Sequence, residues 1–514
     1  MKAVVTSAAE MAASVHDGAT IALCGSSTLV EPDHLLEAIE ARFLSTGHPR
    51  DLTVIHALGI GNGRESGLQR LAHEGLVRRV IGGHWSWSGR MQALARDDKI
   101  EAYSFPGGAI MTLLREIGAG RPGLITHIGL GTFADPEISG GRCNARATEA
   151  LVESVTFDGK RYLRYKPHRI DFALVRGSVS DPYGNVSLRH EAADLDAYTV
   201  ALAGHNSGGK VFVQVREMID TGFVPARQVR IPGVLIDAVV PFAGQRQSGM
   251  SDFDPTVSGE VPPADAAFDM EMPTGLRAII ARRALREFLP GASVNFGFGI
   301  PGGIPALLDE AGMHGRYWGT IEQGIHNGQM MDGPMFGAAR FPQAIMASPD
   351  QFDFYSGGGV DLAFLGMGEM DGAGNVNVSM LGDTLVGPGG FVDITQPARK
   401  VVFCGAFSAK GLAVENHGSR LRIVRQGAVP KLVGKVSHVT FSGAEAAAAG
   451  HEVLYITERA VFRLTTDGVE LIEITEGIDM QADVIDRMGF MPIVRDIAVT
   501  PLDVVPGGEM SLKS

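Results

Sequence analysis

The stretch "DFALVRGSVSDPYGNVSL" fills residues 171–188, and "DLAFLGMGEMDGAGNVNV" fills residues 361–378. Laid over one another, Asp171 meets Asp361, Ala173 meets Ala363, Asp181 meets Asp371, and Gly184-Asn185-Val186 meets Gly374-Asn375-Val376, all 190 positions apart. The same separation aligns "GKVFVQV" with "RKVVFCG" at Lys210 and Lys400. A second pair lies nearer the start of each half. "DGATIALCGSSTLVEPDHLL" and "PGASVNFGFGIPGGIPALL" match at Gly18 and Gly291 and again at Pro32 and Pro305, 273 positions apart. Two constant separations carrying shared turn residues indicate a chain built from two related halves. The separations differ by 83, so the first half holds about 83 extra residues between positions ~40 and ~165.

Local pattern gives the fold class. "ASVNFGFG" is a β-rich run ending in glycines, "IPALLDEAG" is a short helix closed by glycine, and "YWGTIEQG" is the next strand. This strand–helix–strand rhythm predicts α/β halves with parallel βαβ units and ligand loops at the strand C-termini. Residues 247–273, "QSGMSDFDPTVSGEVPPADAAFDMEMP", lack periodicity and carry acids with no Lys or Arg. They are read as a linker between domains 1–246 and 274–514.

A chain of 514 residues is too long for one core, which agrees with two domains. The formal charge of −13 argues against nucleic acid or an anionic membrane as the main partner. Three scattered cysteines, Cys24, Cys143 and Cys404, form no CxxC, so neither a disulfide framework nor a zinc site is expected. No His–carboxylate spacing suggests another metal. Glu10 and Asp17 interrupt any signal core at the N-terminus, and no apolar run reaches membrane-spanning length. A cytoplasmic protein is the expectation.

Glu322 stands at the end of the "YWGTI" strand, just before Gln-Gly. Two chemistries compete for it. Gly297, Gly299 and Gly302 form a literal G-x-G-x-x-G after a strand, and Glu322 follows 20 residues later, the fingerprint of a nicotinamide- or flavin-dependent oxidoreductase. Pro301 weakens that reading, since it has no N–H to offer a pyrophosphate. The equivalent stretch of the first half, "CGSSTLVEP", has no such glycines. In the second chemistry Glu322 is a nucleophile. A carboxylate of ordinary pKa, ~4.3, is ionised at neutral pH and can attack a thioester without a general base. Such a site needs backbone N–H groups as an oxyanion hole. Glycine clusters follow at Gly357–Gly359 and at Gly387, Gly389 and Gly390. A third possibility is a non-catalytic acyl-CoA-binding protein, which would tolerate loss of the carboxylate.

Taken together, "TIEQG", "YSGGGVDLAFLG", "GNVNVSMLG", "GPGGFVDITQ" and "ITERAVFRL" resemble the class I CoA-transferases, in particular the fused-subunit acetate/propionate type. "AYSFPGGAIMTLLREIGAGRPG", "GLGTFADP", "GGRCNARAT" and "HNSGGKVFVQV" resemble the first subunit of that group. The resemblance implies two CoA-transferase-type (NagB/RpiA-like) α/β domains fused in one chain. It implies a ping-pong exchange of CoA between a short-chain acyl-CoA and a free carboxylate, through an acyl-glutamyl anhydride and a glutamyl-CoA thioester. By the same resemblance Glu322 is the catalytic glutamate, Gly389 and Gly390 are oxyanion-loop residues, and Asn295 is a polar neighbour of the nucleophile. Gly357, Gly358 and Gly359 become candidates for contacting CoA. No prosthetic group or metal is implied, because CoA is a substrate, and a homo-oligomer (dimer or tetramer) is expected.

The chain departs from the family at Cys24-Gly25-Ser26, where relatives often carry Gly-Gly-Phe, and at Ile325-His326-Asn327, where they are glycine-rich. "GGHWSWSGR" adds Trp85 and Trp87. These tryptophans are candidates for an acyl pocket, although one ring of such a pair more often belongs to a core or interface. His326 is read as a loop or substrate contact, His84 as a turn histidine, and Cys24 and Cys404 as small buried residues.

Overall fold

The computed structural model describes residues 2–262, 270–313 and 315–502. Packing separates the chain into two compact units. The first comprises 1–266, 321–353 and 383–393; the second comprises 267–320, 354–382 and 394–514. Packing thus divides the chain differently from the repeat, and two segments of the second sequence half belong to the first unit.

The first unit is organised on a sheet ordered β4–β3–β2–β1–β5–β6–β7. Its strands are β1 (Thr20–Leu23), β2 (Leu52–His56), β3 (Val77–Gly82), β4 (Glu101–Ser104), β5 (Phe172–Ser180), β6 (Lys210–Met218) and β7 (Ala238–Pro241). Every adjacent pair on this path is parallel. Parallel strands covered on both faces read as unbroken apolar runs, and β5 is buried along its whole length. Helices α1 (Gly107–Gly118) and α2 (Ala197–Asn206) contribute mostly buried residues.

The linker predicted at 247–273 falls partly on residues 263–269, outside those described. Its earlier part is packed: Gln247, Ser248 and Val257 are buried, and the Gly249 N–H donates to Thr28 Oγ1 at 2.8 Å.

The second unit repeats the core motif with β8 (Ser293–Phe296), β9 (Trp318–Ile321), β10 (Leu362–Gly366), β11 (Lys400–Cys404) and β12 (Glu452–Ile456), ordered β9–β8–β10–β11–β12. These pairs are also parallel. Registers agree position by position with the repeat: Ile21 pairs Phe172 and Val294 pairs Leu362, while Lys210 pairs Phe172 and Lys400 pairs Leu362.

The conserved acids of the repeat do matching work. The Asp171 carboxylate accepts from Thr20 N–H at 2.9 Å, and that of Asp361 accepts from Ser293 N–H at 3.0 Å. Each ties the start of one strand to its parallel neighbour and so fixes the register. Asp181 accepts from the N–H groups of Tyr183, Asn185 and Val224 and from Asn185 Nδ2. Asp371 accepts from the N–H groups of Ala373, Asn375 and Val436 and from Asn375 Nδ2. Gly184 and Gly374 take φ of 81° and 78° in these turns, a backbone region open to glycine at little cost.

Among the described residues, no helix is long and apolar enough to cross a membrane.

Candidate active site

In the first unit, three stretches meet around Glu322: the residues after β9, the strap 83–87 that leaves β3, and the loop 386–390 that enters α3 (Phe391–Thr395). Parallel strands end here, so backbone groups beyond the ladder are free to bind one another or a ligand. The Gly389 N–H donates to Gly83 O at 2.8 Å, the Gly107 N–H donates to Gly389 O at 2.7 Å, and the Trp85 N–H donates to Val386 O at 2.8 Å. The loop is therefore clamped on both sides before any substrate arrives.

Two of its glycines are steric requirements. A methyl group built on Gly387 would stand 2.6 Å from Gly83 O, and one built on Gly390 would stand 2.0 Å from Glu322 Oε2. At Gly389, with φ +53°, a methyl group would make only ordinary contacts, 3.8 Å from Glu322 Oε1 and 3.9 Å from His84 Cδ2.

Glu322 itself is crowded but keeps a small exposed edge. The Gly390 N–H donates to Oε2 at 2.9 Å, and Gln323 Nε2 donates to Oε1 at 3.3 Å and to Ser26 Oγ at 3.2 Å. Burial pushes the Glu322 pKa up to about 7, against the partial relief of those two hydrogen bonds. This corrects the expectation of an ordinary carboxylate: at neutral pH a sizeable fraction of Glu322 holds a proton.

Asp393, in α3, is fully buried, and its carboxylate accepts from Gly108 N–H at 3.1 Å, in the first turn of α1. Burial holds its pKa well above the usual carboxylate range, and the charge of Glu322 adds to that rise. Phe352 closes the other side, so tightly that a methyl group on Gly108 would stand 2.4 Å from its ring.

Sequence reasoning missed Asp393, Gln323, Ser26 and Phe352. Asp393 lay inside "GPGGFVDITQ", and a carboxylate two residues into a helix beside a glycine loop was the available signal. Phe352 and Ser26 carried none, because their proximity is set by the fold.

The other predicted residues have different surroundings. Asn295, in β8 of the second unit, is buried and donates through Nδ2 to Thr320 O at 3.1 Å and Tyr355 Oη at 3.2 Å, leaving Oδ1 without a partner. Gly357–Gly359 follow the helix Ser348–Ser356. The Gly358 N–H donates to Tyr355 O and that of Gly359 to Phe354 O, so both close the helix end. The literal G-x-G-x-x-G runs into a 3₁₀ segment, Pro301–Gly303, and the seven-residue helix Ile304–Glu310 with Pro305 near its start. Pro301 and Pro305 both remove N–H groups where a pyrophosphate would need them.

Trp85 is wholly buried, with Nε1 donating to Gly82 O at 3.3 Å, while Trp87 is half-buried over Gly59. His326 lies in the short strand Ile325–His326, half-buried, with a side-chain hydrogen bond to Gln351. Cys24 and Cys404 are buried thiols whose pKa burial pushes up. Among the described residues no group of three or more His, Cys, Asp or Glu could hold a metal ion.

Comparison with known proteins gives one answer. The profile of the coenzyme A transferase family matches residues 5–241. A caffeate CoA-transferase of Acetobacterium woodii is 40% identical over 496 residues, covering 95% of this chain and 94% of that protein. The acetate CoA-transferase YdiF of Escherichia coli K12 is 39% identical over 492 residues, covering 95% and 92%. The crystal structure of YdiF from E. coli O157:H7 as a thioester complex with CoA superposes with a TM-score of 0.92 at 37% identity, over 98% of this chain and 96% of that one. No match supports a nicotinamide-dependent oxidoreductase or a non-catalytic binding protein.

Proposed function

Because this chain belongs to the coenzyme A transferase family, and is a CoA-transferase of the α/β fused-chain kind, we propose that Glu322 carries the CoA between an acyl-CoA and a free carboxylate. The observation that supports this most is the Gly390 N–H, held 2.9 Å from Glu322 Oε2 by a loop that tolerates no side chain there.

The chemistry balances without a proton. An ionised Glu322 oxygen attacks the thioester carbonyl, the C–S bond breaks, and CoA leaves as a thiolate with the acyl group held as a mixed anhydride. The thiolate then attacks the glutamyl carbonyl, the anhydride C–O bond breaks, and the first carboxylate departs, leaving a Glu322–CoA thioester. An acceptor carboxylate runs the steps in reverse. In the glutamyl tetrahedral intermediate the negative charge falls on a Glu322 oxygen, where the Gly390 N–H already sits. One such preorganised donor is worth about 2.7–4 kcal/mol. Orientation of the reacting groups contributes up to ~7–11 kcal/mol. The raised pKa of Glu322 has two opposing effects: fewer molecules are ionised at neutral pH, and each ionised carboxylate is less solvated and more nucleophilic.

We propose short-chain acyl groups as the substrate class. The close approach of Trp87 and His84 to Gly59, where a built methyl group would stand 2.7 Å from Trp87 Cδ1, supports a narrow acyl space. A cytoplasmic homo-oligomer, with domains 1–246 and 274–514 descended from one duplicated unit, completes the proposal. Roles for Asn295 in holding the nucleophile's strand, and for Gly357–Gly359 near CoA, are part of it.

The decisive experiment is intact-protein and peptide mass spectrometry after mixing with acetyl-CoA in the absence of acceptor. A CoA adduct on the peptide containing Glu322, absent in Glu322→Gln, is expected. No adduct with acetyl-CoA or with longer acyl-CoAs would overturn the covalent mechanism.

A further inference from the structure

Two oxyanions form in this cycle, on different carbonyls, and the donors around Glu322 account for only one. The Gly390 N–H serves the glutamyl oxygen. The Gly389 N–H is donated to Gly83 O, and Gln323 Nε2 is shared between Glu322 Oε1 and Ser26 Oγ. Position 388 is a proline and has no N–H. The incoming acyl carbonyl must therefore find its donor elsewhere.

The surroundings of Gly389 show where. The point a methyl group on Gly389 would occupy is 3.8 Å from Glu322 Oε1 and 3.9 Å from His84 Cδ2, so it lies within contact distance of both the carboxylate oxygen and the imidazole edge. On its far side His84 packs against Gly59, whose built methyl group would stand 2.5 Å from Nδ1, with Trp87 beside it. The His84 backbone is fixed as well, between Gly83, which accepts from the glycine loop, and Trp85, which donates to it. The ring makes no hydrogen bond to any described residue. The edge facing Gly389 carries a nitrogen in either ring orientation, Nε2 bonded to Cδ2 or Nδ1 in its place.

Resting on the covalent reading of Glu322, we infer that His84 is a second catalytic residue, whose ring N–H donates to the oxygen of the acyl carbonyl as Glu322 attacks it. The acyl C=O π electrons move onto that oxygen, His84 stabilises the charge without giving up its proton, and the charge returns as the C–S bond breaks. Burial keeps the ring neutral, with a pKa lowered to about 4, so a neutral donor is present throughout the physiological range. The proposal assigns one donor to each oxyanion: His84 to the acyl carbonyl and Gly390 to the glutamyl carbonyl.

The test compares wild type, His84→Ala and His84→Gln in two reactions. The first is the rate of Glu322–CoA adduct formation from acetyl-CoA, followed by rapid-quench mass spectrometry. The second is cleavage of the accumulated adduct by hydroxylamine, which attacks the glutamyl carbonyl directly and needs only the Gly390 donor. His84→Ala should slow adduct formation about 10²–10³-fold, chiefly in the maximal rate and not in the acetyl-CoA concentration giving half that rate. Its hydroxylamine cleavage should stay within about twofold of wild type. His84→Gln, which keeps an N–H donor, should recover at least tenfold of the loss. Adduct formation by His84→Ala at the wild-type rate would overturn the assignment, and so would equal slowing of both reactions, which would mean only a displaced Glu322. A wild-type enzyme forming no adduct would instead take down the covalent reading together with this one.

Discussion

The two halves of the chain share a frame and differ at the point to which we assign the chemistry. In the first half β1 pairs β2 through Thr20 with Thr53, and in the second half β8 pairs β9 through Ser293 with Trp318. Counting forward along β2 and β9 from these partners, Glu322 is matched by Ala57. Both residues sit beyond the C-terminal end of the corresponding strand, yet Ala57 is a buried filler. The glycine loop differs in the same way. At the separation of 190 positions, Gly387–Gly390 correspond to Ala197–Val200, which in the first half already form the start of α2. A duplicated scaffold has kept register and turns in both copies, and the strand-end carboxylate with its glycine loop in one. The proposed nucleophile and the loop are therefore a pair. A strand-end carboxylate without a side-chain-free loop would be a buried, poorly solvated charge, and that loop without a carboxylate would be a helix start.

Changing the proposed nucleophile breaks this comparison hardest. Glu322→Gln should lower acyl transfer by on the order of 10⁴-fold or more, measured as acetyl-CoA-dependent transfer to a carboxylate acceptor. Adding Ala57→Glu to that variant should restore nothing, because the donors of the glycine loop are aimed at position 322. Recovery of activity in the double variant would show that the halves are interchangeable and that the loop does not discriminate between them.

Gly390→Ala tests the other member of the pair. Position 390 does not adopt a left-handed backbone, so alanine is conformationally acceptable there, and the change acts through contact. Its methyl group meets Glu322 Oε2 and the Phe352 ring, so the carboxylate must move away from the Gly390 N–H. A loss of about 10²–10³-fold in kcat is expected, the size of a lost oxyanion donor. Activity near wild type would place the donor elsewhere.

The same crowding sets the pH behaviour. With the Glu322 pKa raised to about 7, kcat/KM should rise tenfold per unit below pH 7 and level off above it. Stability should run the opposite way. Folded Glu322 binds its proton more tightly than the unfolded chain does, at an ordinary value of 4.5, so its contribution is fully present below pH 4.5 and is lost as pH rises to about 7. Glutamine cannot ionise and escapes that loss. Glu322→Gln should thus be more stable than wild type at pH 8, by at most about 3 kcal/mol, and indistinguishable near pH 4.5. Equal melting temperatures at both pH values would mean that the carboxylate is better solvated than its surroundings indicate.

Much of this was legible in the sequence, for identifiable reasons. Asp171, Asp181, Asp361 and Asp371 act on backbone groups a few residues away or on the neighbouring strand, so their spacing survives as a repeat that can be counted. Glu322 was legible because a strand-end carboxylate before glycine is chemically unusual. Its raised pKa was not, since that follows from what is packed around it. Nor were Phe352, Ser26 and the clamp between Gly83 and Gly389, which join positions hundreds of residues apart. The interleaving of 321–353 and 383–393 with the first unit was equally hidden. A linear repeat shows which residues descend together, whereas packing shows which residues act together.

The smallest effect probes the frame itself. In each turn one carboxylate oxygen of Asp181 or Asp371 accepts from two backbone N–H groups, and the other accepts from an Asn Nδ2 and a third N–H. Replacement by asparagine keeps the first oxygen's role and turns an N–H₂ group toward two donors. Each substitution should cost about 2–4 kcal/mol, from two lost hydrogen bonds and two unsatisfied donors. The costs of Asp181→Asn and Asp371→Asn should agree within about 1 kcal/mol, read from denaturant midpoints. A large cost on one side only would mean that the turns are alike in geometry but no longer in what they hold. Because neither acid touches Glu322, kcat should be unaffected in both variants at temperatures where they are folded. A fall in kcat confined to Asp371→Asn would show that the second-half frame, and not only its glycine loop, sets the position of the nucleophile.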